Sequence, residues 1–187
     1  MKTVLAFFAI SVVYAHAVFT GYYWRDYDAS SIPCDAIQGG TDSYGHYTYI
    51  GLIALSDPGS LDLPDMVSAT IYKGDKYAYS AYHSRLFKSD RGVKILCSAD
   101  SKNVRWSKSL GNGCTLVRGS YTANYTNYYI GRTIYNGKNV TGRFSTEELT
   151  LYVPWTPEPL RLKTFKEYEM LMYCNSEDLT VRRVPVV

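Results

Sequence analysis

The chain has little histidine and lacks the sequence motifs of the common enzyme classes. It contains three histidines among its 187 residues, and one of them lies in an N-terminal segment that we expect to be removed. The sequence has no GxSxG nucleophile motif, no HExxH zinc motif, no glycine-rich phosphate loop and no CxxC pair. The sequence therefore favours a protein that is not an enzyme and that uses no cofactor.

Charge of one sign and long apolar segments are also scarce. The formal net charge is +3, and the lysines and arginines do not form the basic stripe that is typical of a nucleic-acid-binding surface. After the first residues, no apolar stretch approaches the ~20 residues that a membrane-spanning helix needs. The sequence therefore predicts neither a nucleic-acid partner nor a membrane span. It leaves the oligomeric state open.

The first residues have the pattern of a secretory signal peptide. Lys2 is basic, residues 4–13 are apolar, and Ala15-His16-Ala17 is a small-residue cleavage site. The apolar segment is too short for a transmembrane anchor. We therefore expect residues 1–17 to be a signal peptide, the mature chain to begin at Val18, and the protein to be secreted and extracellular.

The rest of the sequence carries one pattern twice. Tyr49-Ile50-Gly51 lies in a strand-like run, and Tyr129-Ile130-Gly131 lies in a matching run about 80 positions further along. Other matched pairs are Trp24 with Trp106, residues 76–79 with 151–154, and residues 93–96 with 168–171. A period of this length suits two copies of a small β unit. We expect the copies at residues 24–97 and 106–174, followed by a C-terminal tail at residues 175–187.

The composition of these copies is that of β-strands. The chain contains 19 tyrosines, and short β-branched or aromatic runs alternate with turn sequences such as Lys73-Gly74-Asp75 and Asn136-Gly137. No window keeps a helical periodicity over three turns. The sequence therefore predicts an all-β fold. We expect two tandem units, related by a pseudo-two-fold axis, to form one compact sandwich-like or barrel-like domain.

Four cysteines follow the duplication. They are Cys34, Cys97, Cys114 and Cys174. An even number of cysteines in a secreted chain predicts disulfides and no free thiol. Two pairings respect the repeat: Cys34–Cys97 with Cys114–Cys174, or Cys34–Cys174 with Cys97–Cys114. The first is favoured because each copy then closes on itself.

The order of motifs in each copy resembles the DM-nine repeat, a small β unit that is usually found in tandem pairs. The second copy offers Trp106, residues 113–119, Tyr128-Tyr129-Ile130-Gly131-Arg132, Thr141-Gly142-Arg143-Phe144, Leu151-Tyr152-Val153-Pro154-Trp155 and residues 168–171. The first copy offers Trp24, Gly39-Gly40-Thr41-Asp42, Tyr49-Ile50-Gly51, residues 63–67 and residues 93–96. The resemblance covers nearly all of the chain after residue 17.

This resemblance implies a mannose-binding protein of innate immune recognition. The sugar-binding residues of the family are an Asp in an acidic turn and a Lys in a P-G-K-V loop. The first copy matches the Asp with Asp42 and has Met66 at the Lys position, whereas the second copy has Thr122 and Arg143 at these two positions. The resemblance therefore implies ligand binding through Asp42, through Arg143, or through both in a composite site between the copies.

Other interpretations of the same residues remain open. Asp42 also suits the cap of its own turn, and the alternating tyrosines suit a packed sheet face. Two N-glycosylation sequons begin at Asn124 and Asn139, and a glycan at Asn139 would lie close to Arg143. The alternative function is a non-lectin extracellular or matrix protein that contacts a protein partner through a tyrosine-rich surface.

Overall fold

The computed structural model describes residues 21–56, 64–121, 127–155 and 161–174. The signal segment, the Asn124 sequon, Thr122 and the C-terminal tail lie outside these described residues. The described part consists of strands, connecting turns and one short 3-10 helix, Ser101–Asn103. None of its helices has the length and apolar character needed to span a membrane. The all-β prediction is confirmed.

The first unit is an antiparallel sheet. Its strands are β1 (Tyr22–Asp26), β2 (Gln38–Thr41), β3 (Tyr47–Leu55), β4 (Asp65–Tyr72), β5 (Ala78–Tyr82), β6 (Arg85–Ser89) and β7 (Lys94–Ser98). The order across the sheet is β1-β7-β3-β4-β5-β6, and β2 pairs with β3.

The second unit repeats this order. Its strands are β8 (Val104–Ser107), β9 (Cys114–Leu116), β10 (Ser120–Tyr121), β11 (Tyr129–Tyr135), β12 (Lys138–Phe144), β13 (Leu151–Trp155), β14 (Arg161–Phe165) and β15 (Glu169–Cys174). The order is β8-β15-β11-β12-β13-β14, and β9 pairs with β15. β10 instead pairs with β4 and becomes the eighth strand of the first sheet. Among the described strands, neither sheet closes into a barrel.

The strand registers show which positions of the two units correspond. Trp24 pairs with Leu96 in the first unit, and Trp106 pairs with Leu171 in the second. Gly51 pairs with Ile95 and Gly131 pairs with Met170. These partners directly precede Leu96 and Leu171, so the two glycines are equivalent. The tryptophans, the central glycines and the closing strands therefore match as the sequence predicts.

One predicted match is shifted by two residues. Ile71 pairs with Ala78, and its equivalent Phe144 pairs with Leu151. Leu151 therefore corresponds to Ala78, and the match of residues 76–79 with 151–154 was wrong. Side chains alternate between the two faces of a strand, so a shift of two residues preserves the buried and exposed pattern. Periodicity alone does not detect such a shift.

The two units share a hydrophobic cluster as well as having one each. The shared cluster is built from equivalent pairs: Ile37 with Val117, Ile50 with Ile130, and Leu96 with Leu171. Trp24 and Trp106 pack against it from the two units. A second cluster lies mainly within the first unit and includes Tyr128 of the second unit, and a third lies within the second unit. Because the shared cluster draws equally on both sheets, burial of apolar surface holds the units together.

Reciprocal strand contacts complete the contact between the units, which we call the seam. Ser120 of β10 pairs with Val67 of β4. In the corresponding place, Gly40 of β2 lies against β12 so closely that a Cβ on it would stand 2.1 Å from the backbone oxygen of Asn139. The short strand β10 of the second unit therefore lies against β4 of the first, and the short strand β2 of the first unit lies against β12 of the second. A pseudo-two-fold relation requires these reciprocal contacts.

The cysteines depart from this symmetry. Cys114 and Cys174 pair across β9 and β15 and form a disulfide, as the favoured pairing predicts. Cys34 and Cys97, which were expected to form the second disulfide, are free thiols. Cys97 pairs with Ala36, because its position in β7 corresponds to Met172 and not to Cys174. Because of this two-residue offset, Cys97 lies opposite Ala36 and not opposite Cys34.

Candidate functional site

Asp42 is engaged in its own turn. Its Oδ1 accepts hydrogen bonds from the backbone N–H groups of Tyr44 and His46, both at 2.8 Å, and its Oδ2 lies 3.1 Å from Nδ1 of His46. Partial burial favours a raised pKa for this carboxyl, but these hydrogen bonds outweigh it and hold the pKa below its ordinary value. The carboxylate therefore organises the turn at residues 42–46, which we call the Asp42 turn.

Arg143 is buried in the seam. Its side chain is 4% exposed, and its Nε donates a hydrogen bond of 2.7 Å to the carbonyl of Ala81 in the first unit. The guanidinium carbon lies 4.2 Å from the ring centre of Tyr128, 4.9 Å from that of Tyr152 and 5.0 Å from that of Tyr82. Three electron-rich ring faces therefore surround the cation. Within the described residues, its Nη1 has no hydrogen-bond partner.

The structure does not bring Asp42 and Arg143 together. Arg143 lies near the end of β12, whereas the Asp42 turn follows β2, which contacts β12 at Asn139. These two points of β12 are four residues apart, roughly 13 Å in a strand. The register also assigns Thr70, not Met66, to the position of Arg143 in the first unit. The expected composite site of Asp42 with Arg143 is therefore not formed.

The cation beside the Asp42 turn is Lys138 instead. Its Nζ lies 3.7 Å from the place that a Cβ on Gly45 would occupy. Lys138 opens β12 directly after the Asn136-Gly137 turn, where both residues have positive φ angles of 50° and 72°, as expected for a two-residue hairpin. The β11–β12 hairpin of the second unit thus ends next to the Asp42 turn of the first.

An open groove lies on the second unit beside this hairpin. It encloses about 330 Å³. Its walls come from the end of β8, from β11 and β12, and from the start of β15. The lining residues are Lys108, Arg132, Thr133, Ile134, Asn139, Glu167, Tyr168 and Glu169.

The groove combines hydrogen-bond donors, acceptors and aromatic surface. Nε of Arg132 donates to Oε2 of Glu169 at 2.7 Å, and the guanidinium carbon lies 4.5 Å from the ring centre of Trp106. These contacts fix Arg132 in place. Lys108 and Glu167 are exposed, so their charged ends are accessible to a ligand. Two cations and two carboxylates line the groove, which makes its formal charge zero.

The Asn139 sequon lies in the wall of this groove. Asn139 is half-buried and pairs with Ile134 across the hairpin, while Val140 and Thr141 are buried in β12. A glycan on Asn139 would therefore project at the groove, not at Arg143.

The described residues contain no group of three or more His, Cys, Asp and Glu side chains arranged to hold a metal ion. A separate cluster of titratable side chains surrounds the Cys97 thiol. Burial, together with the carboxylate of Asp35, raises the pKa of this thiol to about 12. Asp35 itself is held by Tyr23 and Arg25. This arrangement keeps the thiol protonated and unreactive.

The groove was missed by sequence reasoning, although some of its residues lie within the quoted motifs. Arg132 ends the Tyr-Ile-Gly-Arg motif, and Glu169 belongs to the closing segment. Their pairing follows from the register of β11 against β15. Both residues lie in segments that the sequence analysis matched between the two copies. Only the pairing of β11 with β15, however, shows that Arg132 and Glu169 lie side by side.

Two comparisons with known protein sequences find no match. No protein-family model matches the chain, and no curated protein sequence matches it significantly. The resemblance to the DM-nine repeat therefore rests on the order of motifs in the sequence.

Proposed function

We propose that this chain is a secreted carbohydrate-binding protein of the pattern-recognition type, and that the groove beside the β11–β12 hairpin is its sugar site. The observation that carries the proposal is the lining of the groove, which places Arg132, Glu167 and Glu169 around one open cavity beside Tyr168. The proposal requires that Asn139, whose glycan would project at this cavity, is not glycosylated. The DM-nine-like order of motifs in the sequence supports the same class of function.

The chemistry of the groove suits a neutral sugar. Carboxylate and amide oxygens accept hydrogen bonds from sugar hydroxyls, whereas lysine, arginine and amide N–H groups donate to hydroxyl or ring oxygens. Aromatic rings offer apolar contact to the C–H face of a pyranose ring. Because the charges of the groove cancel, an anionic or cationic ligand gains no net attraction. A mannose-type glycan meets these requirements.

A glycan array with the disulfide-intact protein tests the proposal. We expect binding to mannose-type glycans that is weakened about ten- to a hundredfold in a Lys108→Ala/Glu167→Ala double variant, because each side chain supplies a charged hydrogen-bonding group. The matched control is Lys102→Ala/Glu147→Ala, which removes the same two charges from exposed positions outside the groove. Equal binding by both double variants, or no glycan binding by the wild type, contradicts the proposal.

The exposed aromatic side chains support a second candidate, a non-lectin protein that contacts a protein partner. Tyr44 is 80% exposed and Tyr47 is 56% exposed, and exposed tyrosines are common in protein interfaces. A wild-type protein that binds no glycan on the array would favour this candidate.

A further inference from the structure

We infer that the ligand surface extends from the groove across the seam onto the Asp42 turn, so that the preferred ligand is an oligosaccharide chain of neutral pyranoses and not a single sugar. This inference rests on the proposed function. It adds a second contact region, on the first unit, whose main members are Tyr44 and Tyr47.

The two regions are continuous through the backbone. Asn139 and Ile134 both line the groove. The backbone oxygen of Asn139 meets Gly40 of β2, and Gly40 pairs with Thr48, the neighbour of Tyr47 in β3. Two strand spacings, roughly 10 Å, therefore separate Asn139 from β3. A ligand longer than one sugar is needed to reach from the groove to the turn.

The Asp42 turn presents its rings to solvent from a fixed backbone. The carboxylate of Asp42 binds two N–H groups of the turn, and the Gly45 N–H donates to the carbonyl of Asp42 at 3.1 Å. Tyr44 is nevertheless 80% exposed. Because the backbone of the turn is already ordered, binding of a ligand to the exposed ring costs little additional backbone entropy.

The surroundings of these rings suit a neutral, hydroxyl-rich chain. Ile134, on the hairpin that borders the turn, is 71% exposed, and Lys138 reaches Gly45. Tyrosine combines a flat apolar face with a hydroxyl tip, so it contacts the C–H face of a sugar and also hydrogen-bonds. Asp42 then acts as a positioning residue that holds Tyr44, and the sugar contacts are made by the rings.

The test compares a monosaccharide with a short chain. Methyl α-mannoside and an α-linked mannotriose are titrated into the wild type, into Tyr44→Ala/Tyr47→Ala, and into the control Leu149→Ala. Leu149 is also exposed, but it lies between β12 and β13, far from the turn along β12. We expect the wild type to bind the trisaccharide more tightly than the monosaccharide. The double variant should lose roughly tenfold in trisaccharide affinity with monosaccharide affinity unchanged.

The possible failures are distinguishable. If the wild type binds both sugars equally, or if the double variant binds the trisaccharide as well as the control does, the extended surface is refuted while the groove proposal stands. If neither sugar binds the wild type, both fail. The thermal melting of the double variant should match that of the wild type because both rings are exposed, so a loss of trisaccharide binding reports the contact itself.

Discussion

Nε of Arg143 donates a 2.7 Å hydrogen bond to the carbonyl of Ala81, which joins β12 of the second unit to β5 of the first. Tyr82 and Tyr128 contribute to the ring cage from opposite sides of the seam, and the Tyr82 hydroxyl donates to Asp65 at 2.8 Å. Burial first, and then the bond to Asp65, raise the pKa of Tyr82. The position that the resemblance assigns to the ligand is therefore occupied by a structural contact between the units.

Replacement of Arg143 should destabilise the whole domain. Arg143→Ala removes a large buried side chain and leaves the Ala81 carbonyl without its donor, so we expect a loss of about 2–5 kcal/mol in the free energy of unfolding. Urea denaturation measures it. The control Arg105→Ala changes an exposed arginine on β8 and should stay within about 0.5 kcal/mol of the wild type. If Arg143→Ala is as stable as the wild type but loses sugar binding, Arg143 belongs to the ligand site and this structural role is wrong.

The close contact at Gly40 predicts a second seam variant. A Cβ at this position stands 2.1 Å from a backbone oxygen of β12, and backbone atoms in a paired strand cannot move aside as a side chain can. We expect Gly40→Ala to destabilise the fold by about 1–3 kcal/mol or more. Gly39→Ala is the matched comparison, because its Cβ meets side-chain atoms of Thr141 at 2.8 Å and 3.2 Å and no backbone atom this closely, so it should cost less than Gly40→Ala. Equal thermal melting of the two variants would argue against this account of the seam.

The free thiols should differ in reactivity. Cys34 is exposed, whereas Cys97 is buried and has a pKa of about 12. At pH 8 the Cys97 thiol is therefore protonated and inaccessible. We expect native protein to take up one alkylating group at Cys34, unfolded protein without reductant to take up two, and reduced unfolded protein four, as counted by intact mass. Unfolded, unreduced protein that takes up no label would instead establish the Cys34–Cys97 disulfide first expected from the sequence.

The sequence predicted the features that local pattern determines. Each tryptophan and each central glycine recurs within the same hydrophobic context, so pairs such as Trp24 with Trp106 were identified correctly. A shift by an even number of residues leaves the strand alternation unchanged. The two-residue offset of Cys97 and the four-residue offset between Met66 and Thr70 were missed for this reason. The burial of Arg143 depends on Ala81 and Tyr82 of the other unit, and the groove depends on the pairing of β11 with β15. Both are long-range contacts that a linear pattern does not encode.

Asp42 makes the last prediction because its carboxylate stabilises the fold only while it is ionised. Its pKa is below the ordinary value. Its contribution is therefore complete above about pH 4, the ordinary range of a carboxyl in the unfolded chain, and is lost as the pH falls through the lowered pKa. Asp42→Ala should cost about 1–2 kcal/mol at pH 7, because two N–H groups lose a charged acceptor. This cost, measured by urea denaturation against the wild type, should shrink on acidification toward pH 2.

The control is Asp26→Ala, which removes a carboxylate that is 91% exposed despite its ion pair with Lys94. An exposed pair of this kind contributes little, so this variant should differ from the wild type by less than about 1 kcal/mol at either pH. If Asp42→Ala costs as much at pH 2 as at pH 7, the ionised carboxylate is not what holds the turn. If Asp42→Ala instead leaves stability unchanged and abolishes binding of methyl α-mannoside, Asp42 contacts the sugar directly. The positioning role assigned to it would then be wrong.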